Sequence, residues 1–422
     1  MRRNWIMGVL TIATAMIGCA PFLAQAQYTL QQSFEAARNQ AETVAIQQAL
    51  LDQAEERYNA AKGGLFPNLQ GIASYTQLPR PSGPQSAFTR PDRPEVRLNA
   101  TQAVFRGLRE YAAIRQRRLD AEAQQDAKRR AELQLYQDLA DTFFSILSLE
   151  QDLKNLETQI ELNRKRVREL GARRRIGRSR VSEVLTVESA VASLEAQAAS
   201  VKAELGTVRE VFALLTGLKQ DSSLKDDARA SQALERLEHY LKLIEQRPDI
   251  QERVKRVKAA EEGIAIARGG HFPSIDLAGN YYLKRVGVLE SQKWDFQAVL
   301  TLPIYSGGVI QSQLREASAV ARQNDLELNR IRREAEREVR THYQNVVAGQ
   351  NQIQALTRAT ELAERNFREQ SREYGFGLVT NLDVLQALNV FQESRRALDR
   401  TRYGLRLNLA RLESAVALRG VR

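Results

Sequence analysis

The sequence predicts a mainly α-helical chain with a small β part: two copies of one long-helix coiled-coil unit, each interrupted by a two-stranded hairpin. Three observations carry this expectation. "GGLFP" at 63–67 and "GGHFP" at 269–273 stand 206 residues apart, whereas "VFRG" at 104–107 and "IYSG" at 304–307 stand 200 apart. Apolar residues then recur every seven positions along the stretches that follow. Between each "FP" and the next helical stretch, the pattern switches to period two.

Composition agrees with long helices. Only 10 of 422 residues are proline and 6% are aromatic, while 27% are charged, which suits helices that bury a narrow stripe and solvate the rest. The net charge of +11 comes from acids and bases interspersed throughout, and no stacking aromatics interleave with the bases, so a nucleic-acid partner is not expected. Residues 1–26 have the form of an export signal: a basic "MRRNW", an apolar stretch from Ile6 to Ile17, and the small-residue site "AQA" before Gln27. Cys19, the only cysteine, sits in "MIGC" and offers the alternative of a lipidated terminus. Cleavage after Ala26 leaves no thiol and no disulfide. No later stretch has 18 consecutive apolar residues, so no transmembrane helix is expected.

The first copy is expected over 27–220, a linker over 221–235 and the second copy over 236–422. In the first, Leu139, Ile146, Leu153, Ile160 and Val167 mark one helix and Val184, Val191, Ala198, Leu205 and Phe212 the next. Their counterparts 200 residues on are Val339, Val346, Ile353, Thr360 and Phe367, then Val384, Phe391, Leu398, Leu405 and Leu412. Arg395 and Arg402 interrupt the second seam stripe, which predicts looser or wetter packing there. A helix running from Gly107 to Gly171 would be a rod of about 95 Å. Helical turns are expected at 171–182 and 374–382.

The period-two segments predict strands at 68–76 and 96–105 in the first copy, and at 274–283 and 294–304 in the second. Ile275, Leu277, Tyr281 and Leu283 face one way while Asp276, Asn280 and Tyr282 face the other. Ten residues suit a tilted strand across a bilayer, and apolar-out, polar-in alternation is what a water-filled barrel needs. Tyr281, Trp294 and Phe296 fit an aromatic girdle. Four strands cannot close a barrel, because even small ones take about eight, so several chains must contribute. The alternative is an exported coiled-coil scaffold without a pore.

With these features in place, the chain from about Tyr28 to Leu418 resembles the TolC-type outer-membrane efflux protein family. The residues that carry the resemblance are "FP" before the first strand of each half, "LPIYSGG" at 302–308, "RPDI" at 247–250 and "YGFGLVTNLDVL" at 374–385. The resemblance implies a homotrimer with a twelve-stranded barrel in outer-membrane lipid and an α-helical tunnel across the periplasm. It further implies tips that close the tunnel and dock onto a periplasmic adaptor of an inner-membrane transporter. Small molecules, metal ions and polypeptides are all open as cargo, and "RPDI" leans the reading toward small-molecule efflux.

The tips hold the candidate site residues. Gly177 and Gly377 supply backbone freedom at the turns, and Tyr374, Gly377 and Leu378 belong to the family-like tip. The first tip carries nine basic residues between 163 and 180 against Glu169 alone. Arg173, Arg174 and Arg175 are therefore expected to dock an acidic adaptor surface. Glu183 and Asp383 follow the turns as helix caps or, repeated by symmetry, as an acidic ring at the tunnel aperture. His239, His271 and His342 lie far apart, and no P-loop or dinucleotide fingerprint occurs, so no metal, cofactor or catalysis is expected.

Overall fold

The computed structural model describes residues 27–79, 90–227 and 234–417. The expected signal segment with Cys19, the middle of the first hairpin loop and part of the expected linker lie outside the described residues. Strand β1 (Gln27–Tyr28) opens the chain, followed by α1 (Leu30–Gln40), which a reciprocal Thr29–Gln32 capping box starts. Helix α2 (Glu42–Gly63) turns through "FP" into β2 (Asn68–Gln77), and β3 (Asp92–Arg106) returns. Helices α3 (Arg109–Arg175) and α4 (Val181–Thr216) form a long hairpin. Strand β4 (Ser223–Leu224), within the expected linker, pairs in parallel with β1. The scheme then repeats as α5 (Leu237–Leu243) with a 3-10 turn at Ile244–Gln246, α6 (Pro248–Gly269), β5 (Ser274–Lys284), β6 (Trp294–Thr301), α7 (Val309–Phe376) and α8 (Asn381–Ala415). No helix among the described residues is long and apolar enough to cross a membrane.

The strands form one antiparallel sheet in the order β2-β3-β5-β6. The helices below it take the matching order α2-α3-α6-α7, because every strand continues directly into its helix. The chain is thus a wall four elements wide at both heights, with β2 and α2 on one edge and β6 and α7 on the other. Pro94 is tolerated in β3 because β5 pairing begins only at Val96, so no second neighbour needs its missing N–H. Strand β6 ends at Thr301, short of the expected Ile304; in the first copy β5 holds β3 out to Arg106, whereas β6 has no such neighbour here.

The 67 residues of α3 make a rod about 100 Å long. At its waist, Phe34 of α1 packs edge-on against Tyr136, with Leu139, Phe143, Ile146 and Phe212 around them. The second copy builds the same nucleus from Tyr240, Val339, Val346 and Leu412. Below it, α3 and α4 close on Leu156, Ile160 and Leu194. Beside α7 and α8 runs a groove of about 990 Å³, where Arg395, Arg402, Thr360 and Glu364 line the wall together with Ile353, Phe391 and Leu398.

Besides the pairing of β3 with β5, two joints along α3 hold the copies together. Where α6 passes the start of α3, Gly107 adopts φ +66°, and a Cβ there would lie 2.3 Å from the Gly269 carbonyl oxygen. Lower down, α3 and α8 meet through polar groups. Asp152 accepts from Arg396 at 2.7 and 3.0 Å and from Arg400 at 2.8 Å, Asn155 donates to Asp399 at 2.9 Å, and Arg411 forks onto Asp141 at 2.8 and 2.9 Å.

Candidate functional site at the helical tips and barrel wall

Both tips are built by the same local chemistry. Gly177 and Gly377 adopt φ +73° and +77°, the left-handed region in which a residue with a Cβ is strained. Each sits in a Schellman turn: Gly177 N–H donates to the Arg174 carbonyl and Arg178 N–H to that of Arg173, and Gly377 and Leu378 do the same to Tyr374 and Glu373. Two of the orphan carbonyls at the end of each of α3 and α7 are thereby satisfied.

The next helices restart with acids at their third residue. Asp383 accepts from Thr380 N–H at 2.8 Å and from its hydroxyl at 2.6 Å, and Thr380 Oγ1 in turn accepts from Asp383 N–H at 3.4 Å. These donors, the Thr380 hydroxyl foremost, hold the Asp383 carboxyl below the usual carboxylate range. Glu183 accepts from the Ser179 hydroxyl at 2.5 Å and from Arg180 N–H at 3.1 Å, and its carboxyl is lowered chiefly by Ser179. In this chain each acid is therefore engaged as a helix cap.

A small core joins the two tips: Leu170, Val184, Val187, Tyr374, Val384 and Leu385. Over the buried Tyr374 ring lie the guanidinium groups of Arg166, at 4.0 Å from the centroid, and Arg173, at 4.6 Å. Arg166 also donates to the buried Asn381 at 2.8 Å, so one arginine of α3 is tied to both α7 and α8. Arg174, Arg175 and Arg178 are exposed. Leu378 is exposed too, beside Phe376 and Leu382, while Ile176 and Val181 project from the first tip. The two tips thus present apolar knobs, flanked by arginines on one side only.

In the sequence Arg166 is visible only as one charge in a basic run, and Asn381 only as an unremarked residue of the 374–385 motif. Nothing local in the sequence pairs residues 215 positions apart. The Thr380-x-x-Asp383 capping box is legible in principle, since hydroxyl and acid at that spacing are a helix-start signature.

At the other end, one polar row crosses the sheet. Gln70, Asn99, Asn280 and Asp295 stand side by side, with Asn99 donating to Asn280 at 2.9 Å and Asn280 to Asp295 at 2.8 Å. The neighbouring row, Gly71, Leu98, Tyr281 and Trp294, faces the opposite way, with Tyr281 and Trp294 exposed. A wall wet on one face and apolar on the other is what a lipid-embedded pore requires. Among the described residues, no cluster of His, Cys, Asp or Glu is placed to hold a metal ion.

Comparison with known proteins places this geometry. Residues 240–418 match the outer membrane efflux protein family. The proteases secretion protein PrtF of Dickeya chrysanthemi is 31% identical over 144 residues, covering 32% of this chain and 30% of that protein. The outer membrane protein TolC of Escherichia coli K12 is 23% identical over 416 residues, 93% of this chain and 83% of TolC. The crystal structure of the outer membrane protein VceC of Vibrio cholerae superposes with a TM-score of 0.81 at 22% identity, over 92% of this chain and 95% of that one. The match to PrtF thus spans under a third of its length, and the likeness to VceC is one of fold.

Proposed function

The chain belongs to the TolC-type outer-membrane efflux protein family, and from that premise we propose that three copies close one channel through the outer membrane and periplasm for efflux or secretion. The observation that carries this is the matched order of strands and helices with both edges left open. Exposed strand edges call for a partner, and closure removes them. Three sheets of four strands make a barrel of twelve, polar inside through the Gln70–Asp295 row, and the helices continue it as a tunnel. Electron microscopy of protein extracted from outer membranes in detergent tests the reading. Hollow threefold tubes support it; solid, water-soluble rods would restore the scaffold.

The tips are the docking end, where a periplasmic adaptor links the channel to an inner-membrane transporter. Apolar knobs at Ile176, Phe376 and Leu378 supply contact area, and exposed Arg174 and Arg175 beside Arg173 favour an acidic adaptor. Changing Arg173, Arg174 and Arg175 together to Glu is expected to weaken adaptor capture at least tenfold, about 1.4 kcal/mol. Unchanged capture in a pull-down would remove the charge argument.

Threefold symmetry would bring Asp383 and Glu183 into rings near the aperture. Both are held ionised by their caps, so the rings stay negative at neutral pH. Asp383→Asn, which keeps an acceptor for the Thr380 cap, is expected to reduce cation preference in planar-bilayer reversal potentials. Unaltered selectivity would leave Asp383 as a cap alone.

A further inference from the structure

We infer that the outer mouth of the channel is an anion-binding collar, built on the polar face of the sheet by Arg93, Arg97, Arg285 and Lys293. This rests on the channel proposed above, which makes that face the pore wall. Every strand joins its helix at one end of the sheet, so the hairpin loops mark the opposite, external end.

Register places the cations. Arg97 stands opposite Tyr282, two positions beyond the Asn99–Asn280 pair, and alternation sets both on the same side as the Gln70–Asp295 row. Further along β3, Glu95 and Arg93 return to that side opposite Ser74 and Thr76. Just before β6, Lys293 lies two residues ahead of Asp295, and its carbonyl accepts from Tyr282 N–H at 2.8 Å.

The patch is braced. Tyr282 stands on an open face yet is only 5% exposed, with the Arg285 guanidinium 4.2 Å over its ring. Its hydroxyl donates to Asp295 at 2.7 Å. Arg97 reaches Glu95 at 3.1 Å, and Arg285 approaches the same carboxylate at 3.9 Å. One network thus ties three strands and a loop, and it fixes two guanidinium groups against the pore wall.

The charge there is unbalanced. Near the mouth this face sets four cations against Glu95 and Asp295, and Arg93 and Lys293 are exposed and in no ion pair among the described residues. The loop sequences do not restore neutrality: 78–91 adds Arg80 and Arg90 without an acid, and 286–292 adds Glu290 alone. At the helical end of the same face, Arg106 meets Asp276 at 2.7 Å and the charges cancel. The excess is therefore local to the exit, and threefold repetition would close it into a ring.

A ring of fixed cations enriches anions in the pore and depletes cations. Guanidinium forks favour phosphate in particular, through paired N–H groups. The ligand class is a compact polyphosphate anion, held at low salt and released as screening shortens the Debye length from about 10 Å at about 0.1 M to about 3 Å at about 1 M.

Single channels of the full-length protein in planar bilayers test this, with inositol hexakisphosphate added to each side in turn. At low salt, block is expected from one side, and there Arg93→Glu combined with Lys293→Glu should raise the concentration needed at least tenfold. Neither side chain belongs to the brace, so folding is not at stake. Changing Arg173, Arg174 and Arg175 to Glu at the tips should leave this block unaltered. A conducting channel that the probe fails to block, or whose block the tip change removes and the mouth change spares, would overturn the collar and leave the channel standing. Solid rods in electron microscopy would overturn both.

Discussion

Replacing Arg247 with Ala is expected to destabilise the protein by about 3–5 kcal/mol, the cost of stripping one partner from a buried ion pair. The side chain is 3% exposed at the start of α6. It forks onto Asp249 at 2.8 and 3.1 Å, reaches Glu338 of α7 at 2.9 Å and donates to the Ala415 carbonyl of α8 at 2.8 Å. Burial alone would push the Asp249 carboxyl up, yet Arg247 holds it below its ordinary range, so removing the guanidinium strands a charge among apolar neighbours. Arg247→Lys should recover little, because an ammonium cannot fork onto a carboxylate while also reaching α7 and α8. Denaturant unfolding of the detergent-solubilised protein measures both; a loss under about 1 kcal/mol, the range of a surface pair, would show the clamp to be dispensable.

The second large effect lies at the joint between α3 and α8. Asp152→Asn is expected to cost about 2–4 kcal/mol, somewhat below a fully buried pair because Arg400 remains half exposed. Burial pushes the Asp152 carboxyl up, but Arg396 and Arg400 together hold it below the usual range. A lowered folded-state pKa stabilises the joint at any pH above the carboxyl's unfolded value. That contribution disappears as pH falls through the folded value. Wild-type protein acidified into that window should therefore behave like Asp152→Asn, and the variant should have lost the response. Hydrogen exchange along α8, followed across pH, measures it; equal protection in both proteins at neutral pH would discount the joint.

Much of the fold was legible because it is written twice. A constant offset of 200 through α3 and α7 is visible without any knowledge of packing, and the period switch after each "FP" located the strands. The order in which the strands pair was not legible. Pairing of β3 with β5 joins residues about 180 apart through side chains such as Asn99 and Asn280, which local patterning does not link. The same holds for the tip, where Arg166 meets Tyr374 and Asn381. "RPDI" was legible as a motif, but not the work its residues do: Arg247 clamps three helices, Pro248 starts α6, and Ile250 is buried in the second waist core. Its four residues have structural roles enough to account for them.

The two long hairpins differ in stiffness. Between α3 and α4 the seam is dry, so displacing one helix along the other exposes leucine and isoleucine to water at about 25 cal/mol per Å². Between α7 and α8 the groove is lined in part by charged and polar side chains, Arg395, Arg402 and Glu364 among them, which water can solvate as the helices shift. A load applied at the tips therefore divides unequally: the first hairpin transmits it as a strut, and the second yields as a hinge leaf.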